Sequence, residues 1–129
     1  KKTIISLCLI AVVCFACFAP ALALQDNRIT PCAIVTFSSG MPKVAGTTNK
    51  YNPYAIASVG LPEQLSVGFT LYKVVNGNEI YITSDSDGGY GNYFEAEAVV
   101  TLSKGTYKLY AYYRGETKSD GSVKVYNID

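Results

Sequence analysis

The chain has 129 residues, with 11 lysines and arginines against 10 aspartates and glutamates, and it contains neither histidine nor tryptophan. The missing imidazole removes the serine, cysteine and zinc mechanisms that lean on histidine. The near balance of charge, with basic residues scattered singly and forming no stripe, argues against nucleic acid as a partner.

At the start of the chain, Lys1-Lys2 precedes an apolar run over 3–20 and then Ala21-Leu22-Ala23. A basic start, an apolar centre and a small-x-small site are the parts of a secretory signal peptide. A helical signal peptide is therefore expected over 1–23, with cleavage after Ala23 and one exported domain over 24–129. A lipoprotein reading would acylate Cys17, but the residues after it, Phe18 to Leu22, are apolar where a tether should be polar. No second apolar segment follows, and the last residues form neither a hydrophobic nor a basic tail. The product is expected to be secreted and released rather than wall-anchored, touching the membrane only through its leader. Leu61-Pro62-Glu63-Gln64 is similar to a sortase site but lacks the threonine.

Cys8, Cys14 and Cys17 fall within the leader, so Cys32 is the single cysteine of the exported part and no disulfide within the chain is expected. Beside Ala33-Ile34-Val35, Cys32 reads as a small buried apolar residue. Loss of Lys1 and Lys2 would leave nine basic residues against ten acidic ones, close to neutrality. A domain of this length can form one core without covalent staples.

Taken in order, the exported part reads as seven short strands. The first is expected at 33–38, followed by loop signals at Gly40-Met41-Pro42 and 46–49. The second spans 54–59, between Asn52-Pro53 and Gly60-Leu61-Pro62. The third spans 65–75, with Leu65, Val67, Phe69, Leu71 and Val75 on one face. Asn76-Gly77-Asn78 is a hairpin signal, because Asn-Gly accepts the positive φ values of tight β-turns. The fourth strand is expected at 79–84 and is followed by a polar loop at 85–92.

The fifth and sixth strands, 94–102 and 107–113, have the clearest period of two. Phe94, Ala96, Ala98, Val100 and Leu102 share a face, as do Tyr107, Leu109, Ala111 and Tyr113. Between them Gly105 can take a positive φ. The spacing Leu102-x-x-Gly105-x-Tyr107 matches a tyrosine corner, in which a tyrosine hydroxyl bonds to backbone a few residues upstream. A plain hairpin is the competing reading, and in both Tyr107 is structural. A polar loop over 115–121 leads to a seventh strand at 122–127.

Seven alternating strands, no helical period and a corner tyrosine predict an all-β fold, a seven-stranded antiparallel immunoglobulin-like β-sandwich. The segments Gly68-Phe69-Thr70-Leu71-Tyr72-Lys73 and Leu102-Ser103-Lys104-Gly105-Thr106-Tyr107, together with the leader, resemble the small secreted single-domain β-sandwich proteins of unknown function from Gram-positive bacteria. The shared pattern is generic to immunoglobulin-like and fibronectin-like modules. That family has no established activity, so the resemblance implies fold and export and no site residue.

No catalytic motif is present. Glu95 and Glu97 stand about 7 Å apart on one strand face and read as solvated carboxylates rather than a glycosidase pair. Asp85, Asp87 and Gly88 have the look of a calcium loop, but that register places Thr83 first and Phe94 twelfth, and neither supplies a carboxylate. A weak metal site of another geometry would use Asp85, Asp87 and Glu95; no cofactor is otherwise expected. The 11 tyrosines are the chemical anomaly. Period-two counting sends Tyr72, Tyr81, Tyr110 and Tyr112 to the face opposite the apolar set, where they form a platform for a glycan or a cell-surface protein or reflect β-propensity alone. The function expected is that of a secreted non-catalytic binding module. The alternative is a bacteriocin-like or envelope-active effector.

Overall fold

The computed structural model describes residues 35–129. The expected signal peptide over 1–23, Cys17, Cys32 and the first two residues of the expected 33–38 strand lie outside the described residues.

Seven strands follow in chain order: β1 Thr36–Gly40, β2 Lys50–Tyr51, β3 Tyr54–Val75, β4 Asn78–Glu97, β5 Val100–Thr101, β6 Gly105–Arg114 and β7 Ser119–Ile128. All pairings are antiparallel, and the described residues contain no helix. β1, β3, β6 and β7 lie side by side in that order, β4 pairs with β3, and β2 and β5 form a separate two-stranded ladder.

The long strand β3 organises the fold. Ala55, Ala57 and Val59, then Leu65, Val67, Phe69 and Leu71, are all no more than 5% exposed. This is the period of two of a half-buried strand, kept over 55–59 and 65–71; it breaks between them, where Leu61 is exposed, and after Leu71, where Val75, expected on the buried face, is 38% exposed. β1 pairs with 54–58 and β6 with 66–74, while β4 accompanies both stretches. From β6 come Tyr107, Leu109, Ala111 and Tyr113, all buried, and from β4 comes Ala96. The two ends of the sheet meet across this core. The Phe37 ring of β1 lies 5.1 Å from that of Tyr113 on β6, and Ser39 Oγ is 3.2 Å from Ser122 Oγ on β7.

Several strand boundaries differ from expectation. The strands expected at 54–59 and 65–75 are one strand, β3, with an irregularity between Ser58 and Glu63. Four β3 residues there face the single β4 residue Asn92, and Pro62 has no N–H to donate, so the chain bends without leaving the sheet. The loop expected at 85–92 is instead part of β4, paired with 63–69 of β3. Its glycines do not prevent this: a Cβ on Gly88 would sit 2.8 Å from the Leu65 carbonyl oxygen, so the missing side chain is what lets the two backbones approach. The strand expected at 94–102 stops at Glu97. Ala98 N then donates to Pro53 O, Val99 is exposed, and the chain resumes as β5 against β2. Where two separate sheets were expected, β1, β3, β4, β6 and β7 form one continuous sheet, because β3 and β4 pair with each other on both sides of the bend.

Two local readings have simple geometry. Asn76 and Gly77 take φ of +51° and +78°, making the tight β3–β4 turn. Gly105 takes φ of +149°, and Tyr107 Oη donates to Ser103 O at 2.8 Å.

Candidate functional site

In the half of the sheet built from β4, β3, β6 and β7, the side chains opposite the core form a broad open face. Register places Tyr72 between Tyr81 and Lys108, Thr70 between Ser84 and Tyr110, and Gly68 between Ser86 and Tyr112. On β7, Val125 adjoins Lys108, Val123 adjoins Tyr110 and Gly121 adjoins Tyr112. The four tyrosines singled out in the sequence therefore share one face, and the β7 register adds two valines. Tyr81, Val123 and Val125 are each more than half exposed, and Tyr112 is 37% exposed.

The rings do not lie in one plane. Tyr72 packs edge-on against Tyr81 at 6.3 Å and against Tyr110 at 5.5 Å, which favours the ring quadrupoles and fixes Tyr72 between its neighbours. Tyr112 stands apart, leaning over Gly68, where a Cβ would come within 2.6 Å of its hydroxyl. Arg114 lies 5.5 Å from the Tyr112 ring. Between Tyr112 and β4 the face sinks into an open depression of about 300 Å³, lined by Phe69, Thr70, Ser84, Asp85, Ser86 and Tyr112.

A polar cluster borders the tyrosines. Tyr110 Oη and Lys108 Nζ both donate to Glu79 Oε1, at 2.5 and 3.1 Å. Donation by Tyr110, then by Lys108, holds Glu79 below the usual carboxylate range, and the carboxylate in turn keeps protons on Tyr110 and Lys108 to higher pH. Because the folded value is depressed, the contribution to stability is complete above the ordinary value of 4.5 and is lost as pH falls through the lower folded value. An NMR titration of the Glu79 carboxyl is expected to show a midpoint below 4.5 that rises in Tyr110→Phe; a midpoint at 4.5 in both proteins contradicts the cluster.

The three weak metal candidates of the sequence, Asp85, Asp87 and Glu95, make separate hydrogen bonds. Asp85 and Asp87 project to the core side of β4, where Asp87 Oδ2 accepts from Glu95 N at 3.2 Å and Asp85 Oδ2 accepts from Glu97 N at 3.0 Å. These two N–H groups point away from β3, so the aspartates cap the unpaired edge of the last part of β4. The Glu95 side chain instead accepts from Tyr93 Oη at 2.9 Å, and among the described residues no cluster of three potential ligands forms. Asp85→Ala and Asp87→Ala are each expected to cost about 1 kcal/mol. Together they should promote self-association through the bared edge. Sedimentation that stays independent of concentration in the double variant would count against the capping role.

No protein-family model matches this chain, and no curated protein sequence is detectably similar to it.

Val123, Val125, Arg114 and Glu79 were not legible as members of the face. Their alternation was visible in the sequence, but only strand register shows which neighbours they adjoin. Glu63, 7% exposed, was also missed, since a glutamate beside a proline reads as loop.

Proposed function

We propose that this chain is a secreted, non-catalytic binding module whose contact surface is the open face of Tyr72, Tyr81, Tyr110, Tyr112, Val123 and Val125, and whose partner is a glycan or a cell-surface protein. The observation that carries this reading is the gathering of four tyrosines and two valines on one side of the sheet part formed by β4, β3, β6 and β7. Exposed apolar groups on this scale are a mark of interaction surfaces, and tyrosine supplies contact area with a polar tip at low entropic cost. The Glu79 cluster and the Tyr72 edge contacts hold the rings in place before any partner arrives, which reduces the ordering cost of binding.

Export by a leader over 1–23, release from the cell and an immunoglobulin-like layering belong to the same proposal. The leader is supported by the basic-apolar-small pattern of the first residues. The layering is supported by the packing of β1 over β6 and β7 and by the Tyr107 bond to Ser103 O.

The test compares binding of the wild-type chain and a Tyr81→Ser, Val123→Ser double variant to a glycan array and to intact cells. Both residues are more than half exposed, so the variant should melt as the wild type does. Binding by the wild type and its loss in the variant is expected. Wild-type binding that the variant retains in full would refute the assignment of this face.

A further inference from the structure

Tyr112 and Arg114 sit at the end of the open face where the other side chains become small. The row through Tyr112 reads Ser86, Gly68, Tyr112, Gly121, and the row through Arg114 reads Gly88, Ser66, Arg114, Ser119. Both neighbours of Tyr112 within the sheet lack a side chain, so its ring is bordered by open floor rather than by other rings. The two edge-on aromatic pairs of the face, by contrast, involve only Tyr72, Tyr81 and Tyr110.

The Arg114 guanidinium at this end carries no ion pair: among the described residues the only one joins Lys108 to Glu79. The carboxylates of adjoining positions accept backbone N–H groups instead, Asp120 that of Gly121 among them. Asp85 caps Glu97 N on the other side of the sheet, and Glu116 accepts from Gln64 N. An exposed guanidinium beside an aromatic ring, next to a depression lined by hydroxyls, offers three kinds of contact at one place.

We propose that Tyr112, Arg114 and the hydroxyls of Thr70, Ser84 and Ser86 form a binding site for an acidic saccharide, with a sugar ring against Tyr112 and a carboxylate on Arg114. The inference rests on the binding-module reading and names the ligand class for one part of that face. A pyranose ring has an apolar C–H face and a hydroxyl rim. The aromatic ring meets the first, and the hydroxyls of Thr70 and Ser86, together with what Ser84 Oγ retains beside its 2.9 Å bond to Tyr81 Oη, meet the second. The guanidinium presents paired donors in the geometry of a carboxylate, and it is more weakly hydrated than an ammonium group, so less water must be displaced. The depression, at about 300 Å³, is at the lower end of the size of small-molecule sites, as suits one or two sugar units at a surface.

The experiment is calorimetric titration of the full chain with a galacturonic acid trisaccharide, with the same trisaccharide after its carboxyls are reduced to alcohols, and with a sulfated neutral trisaccharide. The acidic form is expected to bind about tenfold more tightly than the reduced form, the effect of one charged hydrogen-bonded contact. Arg114→Gln should bring the acidic form down to the affinity of the reduced one. Tyr112→Ala should weaken both, while Lys104→Ala, an exposed position just before the opposite end of β6 and outside the face, should change neither by more than about twofold. Tighter binding of the sulfated than of the carboxylated sugar overturns the carboxylate assignment. Equal affinity of the acidic and reduced forms, or no binding of any of the three, overturns the site. The module reading survives those failures when the Tyr81→Ser, Val123→Ser variant still loses its array or cell binding, so the two proposals fail separately. Thermal melting of each variant at the wild-type midpoint confirms that a lost affinity reports the site and not the fold.

Discussion

Replacing Tyr107 with alanine is expected to destabilise the domain by about 3–5 kcal/mol, the range for removing a large buried aromatic side chain. Tyr107 is 1% exposed, its ring belongs to the core on β6, and its hydroxyl donates to Ser103 O at 2.8 Å. Lys73 closes the other side, with Nζ 5.8 Å from the ring centre and 2.7 Å from Ser103 Oγ. Two contributions are therefore combined in one residue: burial of the ring and a bond that ties the 102–105 connection to the strand it precedes. Tyr107→Phe keeps the first and removes the second, so it is expected to cost about 1 kcal/mol, the net value of one hydrogen bond, or somewhat more because the carbonyl it leaves is partly buried. Against a total stability of order 5–15 kcal/mol, the alanine variant should unfold at a much lower urea concentration than the phenylalanine variant. Equal midpoints for the two variants would show that the ring contributes nothing beyond its hydroxyl, and this account of the corner would fail.

The second large effect is expected at Glu63. Its side chain is 7% exposed at the bend of β3, and Oε1 accepts from Glu116 N at 3.2 Å. Glu116 reciprocates, its Oε1 accepting from Gln64 N at 3.2 Å. The Glu63 carboxylate lies so close over Gly115 that a Cβ there would collide with it, and Gly115 N donates to Lys118 O at 2.8 Å within the same turn. The bend of β3 and the β6–β7 turn are thus clipped to each other by two carboxylates acting as acceptors. Glu63→Ala should cost about 2 kcal/mol, because a part-buried backbone donor, Glu116 N, loses its charged acceptor. Glu63→Gln retains an acceptor oxygen and should cost about half as much. Hydrogen exchange of the amides over 115–121 should accelerate more than that of the β3 core in the alanine variant, since local opening at the turn no longer breaks the clip. Uniform acceleration across the domain would mean that Glu63 supports the core generally and not the turn.

These residues also mark where sequence reading reached its limit. Tyr107 was legible because its spacing from Leu102 and Gly105 is a local pattern. Glu63 was not, because Glu116, which it holds, is distant in the chain, and nothing near either residue announces the other. Asp85 and Asp87 lie between these cases. Their two-residue spacing suggested ligands for a metal, and the same spacing serves to cap Glu95 and Glu97 N–H groups two residues apart on a returning stretch of strand. Both geometries use alternate side chains on one face, so only the fold decides between them.

The alternation of apolar and polar residues, the Asn76-Gly77 turn and the outward placement of Tyr72, Tyr81, Tyr110 and Tyr112 relative to their own strands were determined by the sequence alone, because each depends on a residue and its immediate neighbours. The tertiary structure decided that 85–92 is strand rather than loop, that β3 bends at 59–62 without ending, and that the four tyrosines share their face with Val123, Val125 and Arg114. The physical reason is that period two assigns a side chain to one of two faces within a strand, whereas register and bending are set by pairing and burial between segments tens of residues apart.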